Sequence, residues 1–174
     1  ADPTETAAAW VAALKNTGGP TLLLLTRQNV PVLDRTVYPP ADRLEKGAYV
    51  LWQSRPGVPD LILIATGSEV GLALTAAKEL AAEGIVRVVS MPCWEFFDRQ
   101  PASYRDEVLP PACTRRVAIE AGTTLGWQKY VGDRGLMVGL DRYGASAPFK
   151  MLAEQFGFVP ARVVAAVKAW RAAG

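Results

Sequence analysis

Asp60-Leu61-Ile62-Leu63-Ile64-Ala65-Thr66-Gly67-Ser68-Glu69-Val70 passes from an uninterrupted apolar run, through a turn of small residues, into a helical pattern. Apolarity without alternation is what a strand buried on both faces requires, as at the centre of a parallel sheet. Downstream, Val70, Leu74, Ala77 and Ala81 recur at helical spacing, Gly84 stands where a left-handed cap is expected, and residues 86–91 supply the next strand. Such a strand–helix–strand unit crosses over with the right hand. Ser68 reads as the helix N-cap, and Glu69 complements the helix dipole.

The same pattern extends outward. Residues 48–53 read as a strand joined to the apolar run by the turn Ser54-Arg55-Pro56-Gly57, a connection so short that the two strands must be antiparallel if they are adjacent. Residues 115–120 and 136–140 read as two more strands. Short helices are expected around 92–97, 101–109 and 123–131, the last with Trp127 and Tyr130. Pro148 at a first helical position opens a helix ended by Gly157, and Pro160 opens another whose stripe is Val163, Val164, Val167 and Trp170. The fold class is α/β: a three-layer sandwich around a mostly parallel, mixed five-stranded sheet with one antiparallel edge.

A second apolar run, Thr21-Leu22-Leu23-Leu24-Leu25-Thr26, ends in Arg27-Gln28-Asn29. It too reads as a doubly buried parallel strand, yet no strand precedes it. Upstream lies one helix, opened by the capping box Asp2-Pro3-Thr4-Glu5 and carrying Ala7, Trp10, Val11 and Leu14 on one face. One helix and one strand cannot form a core. With no initiator Met, the expectation is the C-terminal piece of a larger polypeptide, beginning with a βα remnant of another domain. Residues 30–46 carry Pro31, Pro39, Pro40 and many charges, which suits a surface connection. The boundary is set so that residues 1–45 are domain end and linker and residues 46–174 are a second domain.

The chain has 174 residues, of which 50% are hydrophobic and 21% charged, enough to bury a sizeable core. Nineteen Lys and Arg against 17 Asp and Glu give a net charge of +2 spread along the sequence, so no footprint for nucleic acid or anionic lipid is expected. Arg115-Arg116 reads as a solvated strand entrance. No apolar run reaches bilayer length, and a soluble, cytoplasmic protein is expected. Histidine is absent, which excludes imidazole catalysis and His metal sites within this chain. Cys93 and Cys113, placed near opposite ends of the sheet, are expected to be reduced thiols.

Several constellations carry chemistry. Arg27 at the carboxyl end of a strand suits bidentate capture of a phosphate or carboxylate, and an interdomain ion pair suits it equally. Thr66–Gly71 resembles a phosphate-binding turn but matches neither the dinucleotide nor the P-loop spacing, so Ser68 as a plain cap is the simpler reading. Cys93 has no base to activate it and reads as a structural thiol. Glu120-Ala121-Gly122 reads as a loop-ordering carboxylate rather than a general acid. Asp141 and Arg142 could pair with one another, and Trp94, Phe96 and Phe97 could serve an interface.

Leu25–Pro31, Ala65–Val70, Val88–Glu95, Glu120–Gly122, Gly126–Gly132 and Asp141–Pro148 together resemble the transketolase family, in its order and approximate spacing over nearly the whole chain. The resemblance implies that residues 1–45 end a pyrimidine-binding domain and that residues 46–174 are a transketolase C-terminal domain. It implies a parent that moves a two-carbon ketol unit between sugar phosphates in the pentose phosphate pathway. The parent would use thiamine diphosphate and a divalent metal, Mg or Ca. The family's phosphate-holding Arg falls on Arg27, a substrate-binding role; no catalytic, cofactor or metal residue is carried over. Its metal and diphosphate segment, activating Glu and catalytic histidines lie upstream, so the chain alone is expected to be inactive and structural. Expected partners are the missing N-terminal portion and a second copy in a homodimer. The alternative is a non-catalytic subunit or interaction module that completes a split thiamine diphosphate enzyme. A third reading is a small independent enzyme binding a nucleotide at Gly67-Ser68.

Overall fold

The computed structural model describes residues 1–173. Its strands are β1 (Tyr49–Gln53), β2 (Leu61–Ala65), β3 (Val86–Ser90), β4 (Arg116–Ile119) and β5 (Leu136–Val138). The helices are α1 (Pro3–Lys15), α2 (Glu69–Leu80), α3 (Trp94–Asp98), α4 (Ala102–Val108), α5 (Gln128–Val131), α6 (Phe149–Phe156) and α7 (Pro160–Ala173). The five strands form one sheet in the order β1-β3-β2-β4-β5. β1 is antiparallel to β3 and every other pair is parallel. This is the mixed α/β sandwich that the apolar run at 61–65 requires.

β2 lies at the centre and is buried along its full length. Leu61, Leu63 and Ala65 face one core with Val70, Leu74 and Leu80 of α2 and Val163, Val164 and Val167 of α7. Ile62 and Ile64 face the other core with Phe97, Val108, Trp127 and Tyr130. The period-2 alternation of a strand thus feeds two cores, which is why the run has no polar positions. Each of these Leu and Ile side chains contributes about 1.5–3 kcal/mol by burial.

The structure corrects several local readings. The expected antiparallel edge is present, but it is formed by β1 with β3, which lies between β1 and β2. Ser68 does not cap through its side chain; its backbone is already helical (φ −60°, ψ −27°), and its Oγ donates instead to Glu69 Oε1 at 2.7 Å. Gly84 is not left-handed but extended at φ 164°, following a 3-10 turn at Ala81–Glu83. A Cβ there would crowd Asp60 Oδ2 at 2.9 Å, the atom that accepts the Ile85 N–H at 2.7 Å. Pro148 occupies the N-cap rather than the first helical position of α6, and the expected helix over 123–131 contracts to α5. The connection at 30–46 is not extended throughout, since Ala41–Lys46 form a 3-10 helix.

Residues 21–26 form no strand, since no partner chain segment runs beside them among the described residues. As expected of a strand pattern without neighbours in the chain, the segment is uncovered: Leu22 is 81% and Leu24 86% exposed. On α1, Trp10, Val11 and Leu14 are exposed as well, so its apolar face is also uncovered.

Candidate functional site

β2 runs into α2 on one face of the sheet, whereas its neighbour β4 runs toward α5 on the other. Where connections leave adjacent carboxyl ends in opposite directions, an open α/β sheet leaves a crevice. A cleft of about 720 Å³ opens at that place. Its floor is Thr66–Glu69 beyond β2, Cys93–Glu95 beyond β3, and Glu120 and Ala121 beyond β4. Leu22–Thr26 and Glu5 form the facing wall. Three sequence constellations thus meet at one site.

Four carboxylates line it: Glu5, which is paired with the Ala1 ammonium in the same wall, and Glu69, Glu95 and Glu120, whose charges that ammonium does not meet. Such a lining repels phosphates, which runs against the nucleotide reading of Gly67-Ser68. Glu120 orders its loop, accepting the Trp127 indole N–H at 2.5 Å. Trp127 packs edge-on against Trp94 with ring centroids 5.0 Å apart, and Tyr130 and Phe97 extend the cluster. Phe97 therefore belongs to the core, while the half-buried Trp94 packs against that core and borders the cleft. Gly126, at φ +89°, is obligatory here, since a Cβ would meet the Trp94 ring at 2.6 Å. Cys93 donates to Glu95 at 3.4 Å, and burial together with that carboxylate pushes its thiol pKa up, so it is a poor nucleophile. Cys93 and Cys113 are both free thiols.

Burial also raises the Glu69 carboxyl, helped by Glu120 nearby, while the Ser68 hydroxyl and the Ala121 amide pull the other way. A folded-state pKa raised above the unfolded value means stability is full below about 4.5 and falls as pH rises through the folded value. Glu69→Gln is therefore expected to be more stable than the parent at pH 7, with the difference vanishing at pH 4. Urea midpoints at the two pH values measure it, and a constant difference would refute it.

Arg27 lies on an exposed bend with no hydrogen-bond or ion-pair partner among the described residues. The residues that follow it seat the linker: Gln28–Pro31 border a second cleft of about 510 Å³ against α2 and α6. Asp141 does not pair with Arg142. Its carboxylate accepts from Thr123 Oγ1, Thr124 N and Thr124 Oγ1, while Arg142 sits 5.6 Å over the Phe156 ring.

A buried polar network escaped the sequence reading. The capping box is only half formed: Asp2 accepts the Glu5 N–H at 2.8 Å, but Glu5 reaches across to the sheet. Glu5 Oε1 accepts from Ser90 Oγ at 2.7 Å and Tyr49 Oη at 2.9 Å. Arg35 closes the network onto Asp2 at 2.7 Å. The available signal was the hydroxyls of Tyr49 and Ser90 in buried strands, since buried polar groups need partners.

A doubly wound α/β domain with an open carboxyl edge, led in by an uncovered helix and apolar segment, defines the class of this chain. It belongs to the transketolase-like TK C-terminal domain family, whose sequence profile matches residues 47–159. It is similar to transketolase from Geobacillus stearothermophilus, 54% identical over 170 residues, 97% of this chain and 25% of that protein. It also resembles the structure of transketolase from Pichia stipitis in complex with sedoheptulose-7-phosphate, with a TM-score of 0.87 at 37% identity over 99% of this chain and 24% of that one. A split-gene transketolase in an inactive β4 tetramer is similar with a TM-score of 0.60 at 27% identity, over 82% of this chain and 47% of that chain. The chain thus spans about a quarter of the length of the curated relatives it matches. Among the described residues no helix is long and apolar enough to cross a membrane.

Proposed function

We propose that this chain is the carboxyl-terminal part of a transketolase-type ketol transferase, with residues 1–45 closing a pyrimidine-binding domain and residues 46–174 forming the C-terminal domain. The observation that carries this reading is the unpaired segment Thr21–Thr26, whose exposed leucines lead directly to an unpartnered Arg27. Strands from outside the chain would flank that segment and cover the apolar face of α1. Arg27 would then stand at the carboxyl edge of a completed sheet, where its guanidinium takes the phosphate of a sugar phosphate through two charge-assisted hydrogen bonds.

The residues present do not fit thiamine diphosphate or its metal by themselves. No cluster of three or more His, Cys, Asp or Glu side chains that could hold a metal ion occurs among the described residues. The cleft at the carboxyl edge carries the charge sign of a diphosphate. Both groups would be held by chain outside this segment, and no step of the reaction is assigned to residues here.

Arg27→Ala in the complete polypeptide is expected to raise KM for a sugar phosphate tenfold to a hundredfold, as for loss of a charged hydrogen bond of about 1.5–3 kcal/mol. An unphosphorylated ketose should show little change. Equal losses for both substrates would assign Arg27 to structure. The split-gene relative favours a second arrangement, in which a separate polypeptide supplies the upstream domains. Recovery of activity on mixing the chain with such a polypeptide would distinguish it from a single-chain parent.

A further inference from the structure

The amino edge of the sheet, opposite the carboxylate-lined cleft, has an unlike chemistry. A cleft of about 700 Å³ opens below the starts of β2, β4 and β5, walled by the last turn of α7. That volume is typical of small-molecule sites. Four separate segments bring Arg115, Arg134 and Arg171 to it, together with Trp170, Val58 and Pro59.

The adjacent pair Arg115-Arg116 is divided by strand geometry. Arg116 is committed to the fold, donating to the carbonyls of Cys113, Leu109, Pro110 and Tyr130. Arg115, one residue away and facing the cleft, has no side-chain partner among the described residues, and neither has Arg134. Arg171 shares Glu83 with Lys168, at 3.3 and 3.0 Å. Among the described residues the one carboxylate in the cleft wall, Asp60, is engaged by the Ile85 amide. Trp170 is held in place by donating to the Arg134 carbonyl at 3.1 Å, which leaves its ring as a fixed wall. In a chain whose net charge is only +2, this is a local concentration of guanidinium groups beside an aromatic surface.

We propose that this cleft binds a small organic phosphate, its phosphate held by Arg115 and Arg134 and its planar or apolar body lying against Trp170 and Pro59. Guanidinium forks match phosphate oxygens, and an indole offers a face for stacking. The site is remote from Arg27 in sequence and lies on the opposite edge of the sheet, so it does not depend on the sugar-phosphate reading.

Calorimetric titration of the chain with adenosine monophosphate, adenosine and inorganic phosphate tests it. Adenosine monophosphate is expected to bind saturably at one site, adenosine not at all, and inorganic phosphate at least tenfold more weakly. The double variant Arg115→Ala/Arg134→Ala should weaken the nucleotide at least tenfold. Both residues are exposed, so its thermal midpoint should match the parent's. Arg27→Ala should bind as the parent does. No saturable binding of the nucleotide, undiminished binding by the double variant, or loss of binding in Arg27→Ala would each overturn the assignment. Phosphate binding as tightly as the nucleotide would overturn the role of Trp170.

Discussion

Gly47→Ala is expected to cost at least about 4 kcal/mol of folding stability, in the range reached only by core disruption or backbone clash. Gly47 ends the 3-10 helix Ala41–Lys46 at φ +81° and hands the chain to β1. Its carbonyl accepts the Cys93 N–H at 3.0 Å, so the entry to β1 and the start of α3 lie against one another. A Cβ would be 2.1 Å from the Phe97 backbone N and 2.4 Å from the Cys93 carbonyl O. Both are main-chain atoms and cannot rotate away. Relief requires α3 to lift, which unseats Phe97 and the aromatic cluster beneath it.

Gly67→Ala separates strain from collision. Gly67 also has a positive φ, +53°, but nothing lies within 4 Å of its Cβ direction. Its expected cost is the left-handed penalty alone, about 1–2 kcal/mol. Urea unfolding of the two variants beside the parent measures the contrast. A Gly47→Ala midpoint equal to that of Gly67→Ala would show that α3 is not held against residue 47.

The sequence made the sheet legible where burial is uniform. The run at 61–65 has no polar residue because β2 faces two cores, and that alone specifies a central strand with helices on both faces. Sheet order was less accessible. The turn at 54–57 suits a hairpin, yet β3 inserts between β1 and β2, a choice made by long-range packing. Cap assignments failed where a local rule met a tertiary partner: Glu5 satisfies Ser90 and Tyr49 instead of closing its capping box, and Gly84 avoids Asp60 instead of turning left-handed. At the carboxyl edge the constellations were recognisable singly. Their convergence on one acidic cleft was not, because it depends on which strands are neighbours. Residues 21–26 are informative in another way: the pattern of a buried strand stands in a chain that offers it nothing to pair with, as the absence of an upstream strand in the sequence implied.

Arg35→Ala is expected to release α1 and the linker from the domain. Arg35 donates to Asp2 Oδ1 at 2.7 Å, Thr4 Oγ1 at 3.0 Å, the Pro39 carbonyl at 2.9 Å and Tyr49 Oη at 3.3 Å. Asp2 is 1% exposed and also receives the Glu5 and Leu33 amides. Removing the guanidinium leaves a buried carboxylate without its counter-charge, a loss of about 3–5 kcal/mol. Amide exchange in α1 should therefore accelerate at least about a hundredfold at pH 7, and Arg35→Lys should recover only part of the protection, because an ammonium lacks the fork. Burial alone would raise the Asp2 carboxyl, but the Glu5 amide, the Arg35 guanidinium, the Thr4 hydroxyl and the Leu33 amide outweigh it and hold the pKa below 3.8. A depressed folded-state pKa gives stability that is present above the unfolded value and lost as pH falls through the folded one. The protection lost on Arg35→Ala should accordingly be large at pH 7 and shrink as Asp2 is protonated below about pH 3.8. Unchanged α1 exchange in the variant would mean that Arg35 does not hold the helix and that the bonds of Glu5 to Ser90 and Tyr49 suffice, since Trp10, Val11 and Leu14 are exposed.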